Sequence, residues 1–359
     1  MKNTKVLLIQ NQISNYRVNT YNLIAQEVKN LTVAYYDKDE SLNEECLFDK
    51  FKYNVNRIGP FYFENKALTQ LKNNFDVVIY MGNLQDLSYV FSALLPQKYK
   101  KMTWSIGMRA SYTRPYDVYR KHTFADWVYG FLMKRMDACI FYMNKPKEFW
   151  GKSISENPKV FVANNTTSVL PVEIIERNKR DLLFVGTLYK SKGIDKLIKA
   201  MYEVKKDLGK VSKLHVVGQG DQRKELEDLV KFYSLQDDVL FHGPIYNEIE
   251  LAKLFSSSIL CISPTQAGLS VPKSMGYGVT FVTKNDAITG GELYHITNGV
   301  NGLLYESDSE LIGILTKAVL NPSLFVNMGR NAKEYYDSNA TVRHMAEGAL
   351  RAISYALDN

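Results

Sequence analysis

The chain has 359 residues, with 45 Lys and Arg against 38 Asp and Glu, 45% hydrophobic residues and three cysteines. This length suits one large or two ordinary domains, and the composition is that of a globular protein. No run approaches the ~20 apolar residues that cross a bilayer, and the opening MKNTKVLLIQNQ has too short an apolar core for a signal peptide. The widely spaced Cys46, Cys139 and Cys261 form no disulfide framework or metal motif, so a reduced, cytoplasmic chain is expected.

In chain order, KVLLIQ (5–10) reads as a buried strand, followed by a polar loop and a helix through Tyr21 to Val28. LTVAYYD (31–37) and FDVVIYMG (75–82) read as strands, with a helix over 86–95. MTWSIGM (102–108), DACIFYM (137–143) and KVFVANN (159–165) continue the series. Strands alternating with helices imply a parallel sheet covered on both faces. After the charged run 173–181 the pattern restarts. Strands are predicted at 181–186, 213–218, 239–243, 258–263 and 279–283, and helices at 194–208, 221–234, 247–255 and 270–276. A last helical stretch, Thr341 to Leu357, has no strand after it. Two α/β halves of similar size predict two Rossmann-like doubly wound domains with an inter-domain cleft. The expected boundaries are 1–170, 171–338, and a terminal helix (339–359) returning to the first domain.

Charge is unevenly placed. Residues 98–159 carry 13 Lys and Arg against 5 Asp and Glu, a net of +8, while the flanking segments are close to neutral. Aromatic residues are interleaved with the basic ones, and Trp127, Phe131, Leu132, Lys134 and Arg135 suggest an amphipathic stretch. An anionic membrane surface is the expected partner. No nucleic-acid-binding module is legible, so no nucleic acid partner is expected.

In open α/β sheets, ligands sit beyond the carboxyl ends of the strands. VGTLYKSKG (185–193) joins a strand to a helix, with Gly186 at the turn and Lys192 at the helix start; free N–H groups and an ammonium suit a phosphate. VVGQG (216–220) supplies Gly218, but a dinucleotide fingerprint would need a third glycine where Arg223 stands. HGPI (242–245) offers His242, Gly243 and Pro244 beside a base. In GLSVPKSMG (268–276), Gly268 allows close backbone approach, and Leu269 and Ser270 open a helix. Gly290 and Gly291 form a further loop. Asp37-Lys38-Asp39 has the spacing of a metal-binding D-x-D but reads better as an exposed charged turn. No metal and no cofactor are expected.

Four of these segments, in register over about 181–306, resemble the family 4 (group 1) glycosyltransferases of the GT-B fold. VGTLYKSKGIDKLIKAM resembles the family's strand–G-R-L-x-x-x-K-G–helix. LHVVGQGDQRKEL through VLFHGPI resembles L-x-I-x-G-x-G ending in V-x-F-x-G. SPTQAGLSVPKSMGYGVTFV resembles P-S-x-x-E-G-F-G-L-x-x-x-E-A-M-A-x-G-x-P-V, and TGGELYHITNGVNGLLYE resembles G-G-x-x-E-x-x-x-x-G-x-N-G-L-L. The departures are Thr187 for the family Arg, Thr265 and Lys273 for the paired Glu, and Tyr294 for the last Glu. Lys273 lacks the acceptor lone pairs that hold a ribose. Gln266 and Glu292 are candidate replacements.

The resemblance implies transfer of a sugar from a nucleotide diphosphate, UDP first and GDP second, to a glycan or polyprenyl-diphosphate-linked acceptor, with retention. Lys192, Lys273 and Thr265 are the expected catalytic residues. The donor site adds Gly186, Thr187, Gly218, His242, Gly243, Pro244, Gln266, Gly268, Leu269, Ser270, Gly290, Gly291 and Glu292. Asn11, Asn15, Tyr16, Arg17, Asn83 and Arg109 are expected on the acceptor side. An inverting reaction would instead need a base such as Asp117, His122 or Asp126. The alternatives are a UDP-sugar epimerase of the same fold and a non-catalytic scaffold of a glycan assembly complex.

Overall fold

The structure is a computed structural model and describes residues 1–41, 44–109, 117–171 and 179–359. Among the described residues no single helix is long and apolar enough to cross a membrane. The described residues divide into two compact units, one formed by those up to 109, Asp117–Asn165 and Val342–Asn359, the other by those within Thr166–Thr341.

The first unit contains β1 (Lys5–Gln10), α1 (Val18–Glu27), β2 (Asn30–Tyr35), β3 (Asp49–Lys52), β4 (Val55–Ile58), β5 (Phe61–Glu64), α2 (Lys66–Lys72) and β6 (Val77–Tyr80). It continues with α3 (Leu87–Leu94), β7 (Lys100–Ser105), α4 (Phe124–Lys134), β8 (Ala138–Phe141), α5 (Pro146–Trp150), α6 (Lys152–Ser155) and β9 (Val160–Val162). Its seven-stranded sheet runs β3-β2-β1-β6-β7-β8-β9, with all pairs parallel. VVIY of β6 and ACIF of β8 are buried at every position, as strands covered on both faces must be. The antiparallel β4–β5 hairpin lies outside this sheet.

The second unit contains β10 (Asp181–Val185), α7 (Ile194–Leu208), β11 (Leu214–Val217), α8 (Arg223–Phe232), β12 (Val239–Gly243), α9 (Glu248–Ser257) and β13 (Ser258–Ile262). Then follow β14 (Gln266–Ala267), α10 (Ser270–Gly276), β15 (Thr280–Lys284), β16 (Ile288–Thr289), β17 (Gly302–Tyr305), α11 (Asp308–Leu320) and α12 (Ser323–Asn339). Its sheet runs β12-β11-β10-β13-β15-β17 and is parallel throughout. The order reverses between β10 and β13, as it does between β1 and β6 in the first unit. These are topological switch points, where a doubly wound sheet leaves a crevice for ligands.

Helix α7 shows how sequence sets the site. Ile194, Leu197, Ile198, Met201 and Val204 recur at helical spacing and are buried, so the helix is fixed against the sheet. Gly193 precedes it at φ +67°, a left-handed turn that a glycine adopts without steric cost, and no side chain caps the helix start. Its first N–H groups are therefore aimed out of the strand–helix loop. The final helix, α13 (Val342–Asp358), packs on α1 and on β7, β8 and β9 of the first unit. Ala346, Ala349, Ala352 and Ala356 form its buried stripe. At Gly348 the approach is so close that a Cβ would sit 2.3 Å from the carbonyl oxygen of Val162.

Candidate donor site

The loops after β10 and β13 meet at the switch point of the second unit. Thr265 Oγ1 donates to the main-chain carbonyl of Ser191 at 2.7 Å. A Cβ on Gly193 would fall 2.9 Å from the same hydroxyl, so only glycine lets the two loops close this far. Thr265 thus joins the loops. The Lys192 ammonium lies 3.7 Å from the place a Cβ on Gly186 would occupy. Burial pushes this ammonium below its ordinary range, and the carboxylate of Glu292 acts in the opposite direction. The Lys192 ammonium forms no ion pair or direct hydrogen bond among the described residues, and its main-chain N–H donates to the Tyr189 carbonyl. A half-buried cation at an uncapped helix start is an anion receptor.

Glu292 is 4% exposed and accepts hydrogen bonds from the Gly290 N–H at 3.0 Å and the Thr289 hydroxyl at 3.2 Å. The Gly290–Gly291 loop is therefore folded around this carboxylate, and Gly291 takes φ +125°. β14 pairs with β16, matching Gln266 with Ile288 and Ala267 with Thr289, and so ties the two loop regions together. Gly268 follows β14, and a Cβ built there would meet nothing within 4 Å, so the backbone faces open space. Leu269 and Ser270 follow at the start of α10. Thr187 is exposed beside Gly186.

Other expected residues are placed differently. Gly218 acts as a spacer between loops: at φ +139°, its Cβ would fall 1.9 Å from the Gly186 carbonyl oxygen, and at Gly220 the clash would be with Leu188. The 186–188 and 218–222 loops are stitched by bonds from Gly186 to Val217, Leu188 to Gln219 and Gln222 to Leu188. Lys273, expected on a phosphate, is 2.7 Å from a carboxylate oxygen of Glu248. Glu248 also accepts from the Tyr277 hydroxyl at 2.5 Å. Composition could not reveal this Lys273–Glu248 pair, because the two residues lie on different helices. His242 is exposed, with one ring nitrogen 2.9 Å from His215, whose other nitrogen is 3.3 Å from Asp181. Burial, His215 and Arg223 hold His242 below the usual histidine range, so it is neutral at neutral pH. Gly243 turns at φ +75° before the exposed Pro244.

In the first unit, the loops after β1 and β6 carry Asn11, the exposed Asn15 and Tyr16, and the exposed Asn83. Arg17, expected to face an acceptor, is instead 7% exposed; it donates to Asn165 Oδ1 and Met345 Sδ and lies 5.0 Å from the Tyr142 ring centroid. Its role there is to hold α1 to α13. Arg109 is exposed and donates to Thr123 Oγ1 at 3.2 Å. Asp126 is fully buried; it completes the capping box of α4 and receives Arg120 at 2.6 and 2.8 Å. Burial works against its ionisation, but the Arg120 and Thr123 bonds outweigh that and hold it well below the usual carboxylate range, so it is a poor proton acceptor. A His122 ring nitrogen is bonded to the Phe149 carbonyl, and Asp117 accepts from the Tyr119 N–H. Asp39 is bonded to Ser41 and Lys50, in keeping with a charged turn.

Residues 169–335 match the family described as glycosyl transferases group 1. An uncharacterized glycosyltransferase of Haemophilus influenzae is 26% identical over 201 residues, covering 55% of this chain and 56% of the relative. The uncharacterized glycosyltransferase MJ1069 of Methanocaldococcus jannaschii is 32% identical over 168 residues, covering 45% and 42%. The chain spans about half the length of the curated relatives it matches. Among solved structures, Anabaena Alr3699/HepE in complex with UDP aligns with a TM-score of 0.69 at 15% identity, covering 98% of this chain and 99% of that one. WaaG, a glycosyltransferase involved in lipopolysaccharide biosynthesis, aligns with a TM-score of 0.63 at 16% identity, covering 96% and 98%. The chain has the GT-B fold. Its 169–335 region is similar to the group 1 glycosyl transferases.

Proposed function

We propose that the chain is a glycosyltransferase that moves a sugar, with retention, from a nucleotide diphosphate to a glycan or polyprenyl-diphosphate-linked acceptor in surface polysaccharide synthesis. UDP is the first choice of nucleotide and GDP the second. The observation that carries this reading is the half-buried Lys192 ammonium over Gly186, at the switch point where Thr265 joins the β10 and β13 loops. HepE, which shares the fold, is described with UDP, and WaaG is described as acting in lipopolysaccharide biosynthesis.

In the reaction, the bond from the sugar's anomeric carbon to the diphosphate oxygen breaks and its electron pair stays on that oxygen. A bond forms from the anomeric carbon to the acceptor hydroxyl, whose proton passes to the departing phosphate. Lys192 and the uncapped N–H groups of α7 stabilise the negative charge as it builds. Thr265 and Glu292 supply oxygen acceptors for donor hydroxyls, and the exposed main chain at Gly268 and Leu269 lies against the diphosphate. No metal is needed for this charge stabilisation. Asn11, Asn15, Tyr16, Asn83 and Arg109 serve the acceptor. The chain works in the cytoplasm at the inner face of the plasma membrane.

The Lys273–Glu248 pair favours a second reading, a scaffold that kept the fold and lost the chemistry, because it leaves no carboxylate at position 273 for the ribose. Thermal-shift measurement with UDP, GDP, CMP and dTDP separates the two, since a ligand that binds only the folded state raises its melting temperature. A shift with UDP, followed by radiolabelled sugar transfer to a lipid-linked glycan, supports the enzyme. No shift with any nucleotide overturns it.

A further inference from the structure

We infer that α3 and α4 form a docking face for an anionic lipid bilayer. The helices pack beside one another in the first unit. On α4, Phe124, Trp127 and Phe131 stand at i, i+3 and i+7, one stripe of the helix, and are 84%, 66% and 51% exposed. The opposite side of the helix is spent on the core through Tyr129, Leu132 and Met133. On α3 and its first following residue, Phe91, Leu94 and Leu95 stand at i, i+3 and i+4 and are 55%, 43% and 54% exposed. A folded protein scatters exposed apolar residues singly; two adjacent helices that each carry an exposed apolar stripe mark an interaction surface.

The charge identifies the partner. Lys134 and Arg135 continue the aromatic stripe of α4 by one turn, and the Arg135 guanidinium lies 4.8 Å from the Phe131 ring centroid. The only carboxylate on α4 is Asp126, which is buried and paired with Arg120. The only one on α3 is its N-cap Asp86, also buried. The face therefore presents aromatic and aliphatic groups edged by cations, with no exposed carboxylate on either helix. Trp and Phe insert at the headgroup–acyl boundary, and each Lys or Arg near an anionic surface adds about 1 kcal/mol. A second copy docked face to face would set cations against cations, since neither helix offers an exposed carboxylate to match Lys134 and Arg135. This inference rests on the proposed lipid-linked acceptor only for its purpose; its physical basis is the two helix faces.

The test is co-sedimentation of the full chain with phosphatidylcholine vesicles, with and without phosphatidylglycerol. Trp127 fluorescence gives a second readout, since Trp104 is buried and Trp150 is half-buried with its indole N–H bonded to the Gly107 carbonyl. Wild type is expected to bind the phosphatidylglycerol vesicles with a blue shift, and to release at high salt. Phe124→Ser/Trp127→Ser/Phe131→Ser should lose binding by about tenfold or more, and Lys134→Glu/Arg135→Glu by a similar factor. All these positions are exposed, so thermal melts should match wild type. Absence of wild-type binding, equal binding to neutral vesicles, or a dimer in solution that the triple variant abolishes would overturn the inference. Vesicle binding without any nucleotide-induced shift would instead overturn the donor reading and leave this one standing.

Discussion

The Thr265 hydroxyl donates to the Ser191 carbonyl at 2.7 Å, tying the β13 loop to the β10 loop where the sheet order reverses. Thr265→Val keeps the shape and removes the bond. It is expected to cost about 1 kcal/mol of stability and to reduce nucleotide-induced stabilisation. Thr265→Ser should retain both. Denaturant melts with and without UDP check this; an unchanged Thr265→Val would show that the bond does not hold the loops.

Lys192→Ala is expected to remove most of the melting-temperature gain from UDP, since charge-assisted bonds to phosphate contribute about 1.5–3 kcal/mol. Burial depresses the Lys192 ammonium, so its proton is lost at a lower pH than that of a free lysine. Affinity for a diphosphate should therefore decline as pH rises through that lowered value. Lys192→Arg keeps its charge and should flatten the alkaline limb. Titration calorimetry across alkaline pH reads both effects.

Lys273 and Glu248 form a partly buried pair 2.7 Å apart. Lys273→Glu would set two carboxylates side by side and is expected to lower the melting temperature. The double variant Lys273→Glu/Glu248→Lys restores opposite charges and should recover most of the loss. A swap that rescues nothing would show that Lys273 is held by something other than Glu248.

Asp86 is buried at the N-cap of α3, where it accepts from the Ser88 and Tyr89 N–H groups. Burial raises its pKa to about 6 against those bonds. The folded state thus holds a proton that the unfolded chain releases near pH 4. Stability from this group is full at low pH and lost as pH rises towards and through 6, a penalty of about 3 kcal/mol at neutral pH. Asp86→Asn keeps an equivalent cap and carries no charge. It should be more stable than wild type at pH 7 and lose the slope between about pH 4 and 6; urea melts across that range decide it.

Gly218 and Gly209 both have positive φ, +139° and +69°. A Cβ at Gly218 would collide with the Gly186 carbonyl, whereas one at Gly209 would meet nothing within 4 Å. Gly209→Ala should cost about 1 kcal/mol, the left-handed penalty alone. Gly218→Ala should cost several times more or prevent folding, and parallel melts of the two variants compare them.

The centres of both parallel sheets were legible because LLFV, ILCI, VVIY and ACIF are continuous apolar runs with helices between them, but the edge strands β3 and β17 were not: DKFK of β3 is polar and largely exposed, and GLLY of β17 is a short run between turn residues. Helix α7 was legible through its spacing and the Gly193–Gly209 bracket. The β4–β5 hairpin was not, since VNRI and FYFE lack a clean alternation and pair only with each other. Lys192 and Thr265 lie in the loops after β10 and β13, which the strand and glycine signals mark. The burial of Arg17 and the pairing of Lys273 with Glu248 depend on residues distant in sequence: Asn165 lies 148 positions from Arg17, and Glu248 lies 25 from Lys273. Local spacing records which groups are present at a loop, and tertiary contacts decide which of them remain available.

Helix α13 completes the core of the first unit, yet it is translated after all of Thr166–Thr341. On the ribosome, the earlier-made half therefore stays unfinished until the later-made half has emerged. Arg17 is left without its Met345 contact during that interval. A stop codon ahead of Val342 would consequently strike the amino-terminal lobe, and a fragment carrying the candidate donor site could survive a truncation that leaves the other half to chaperones and proteases.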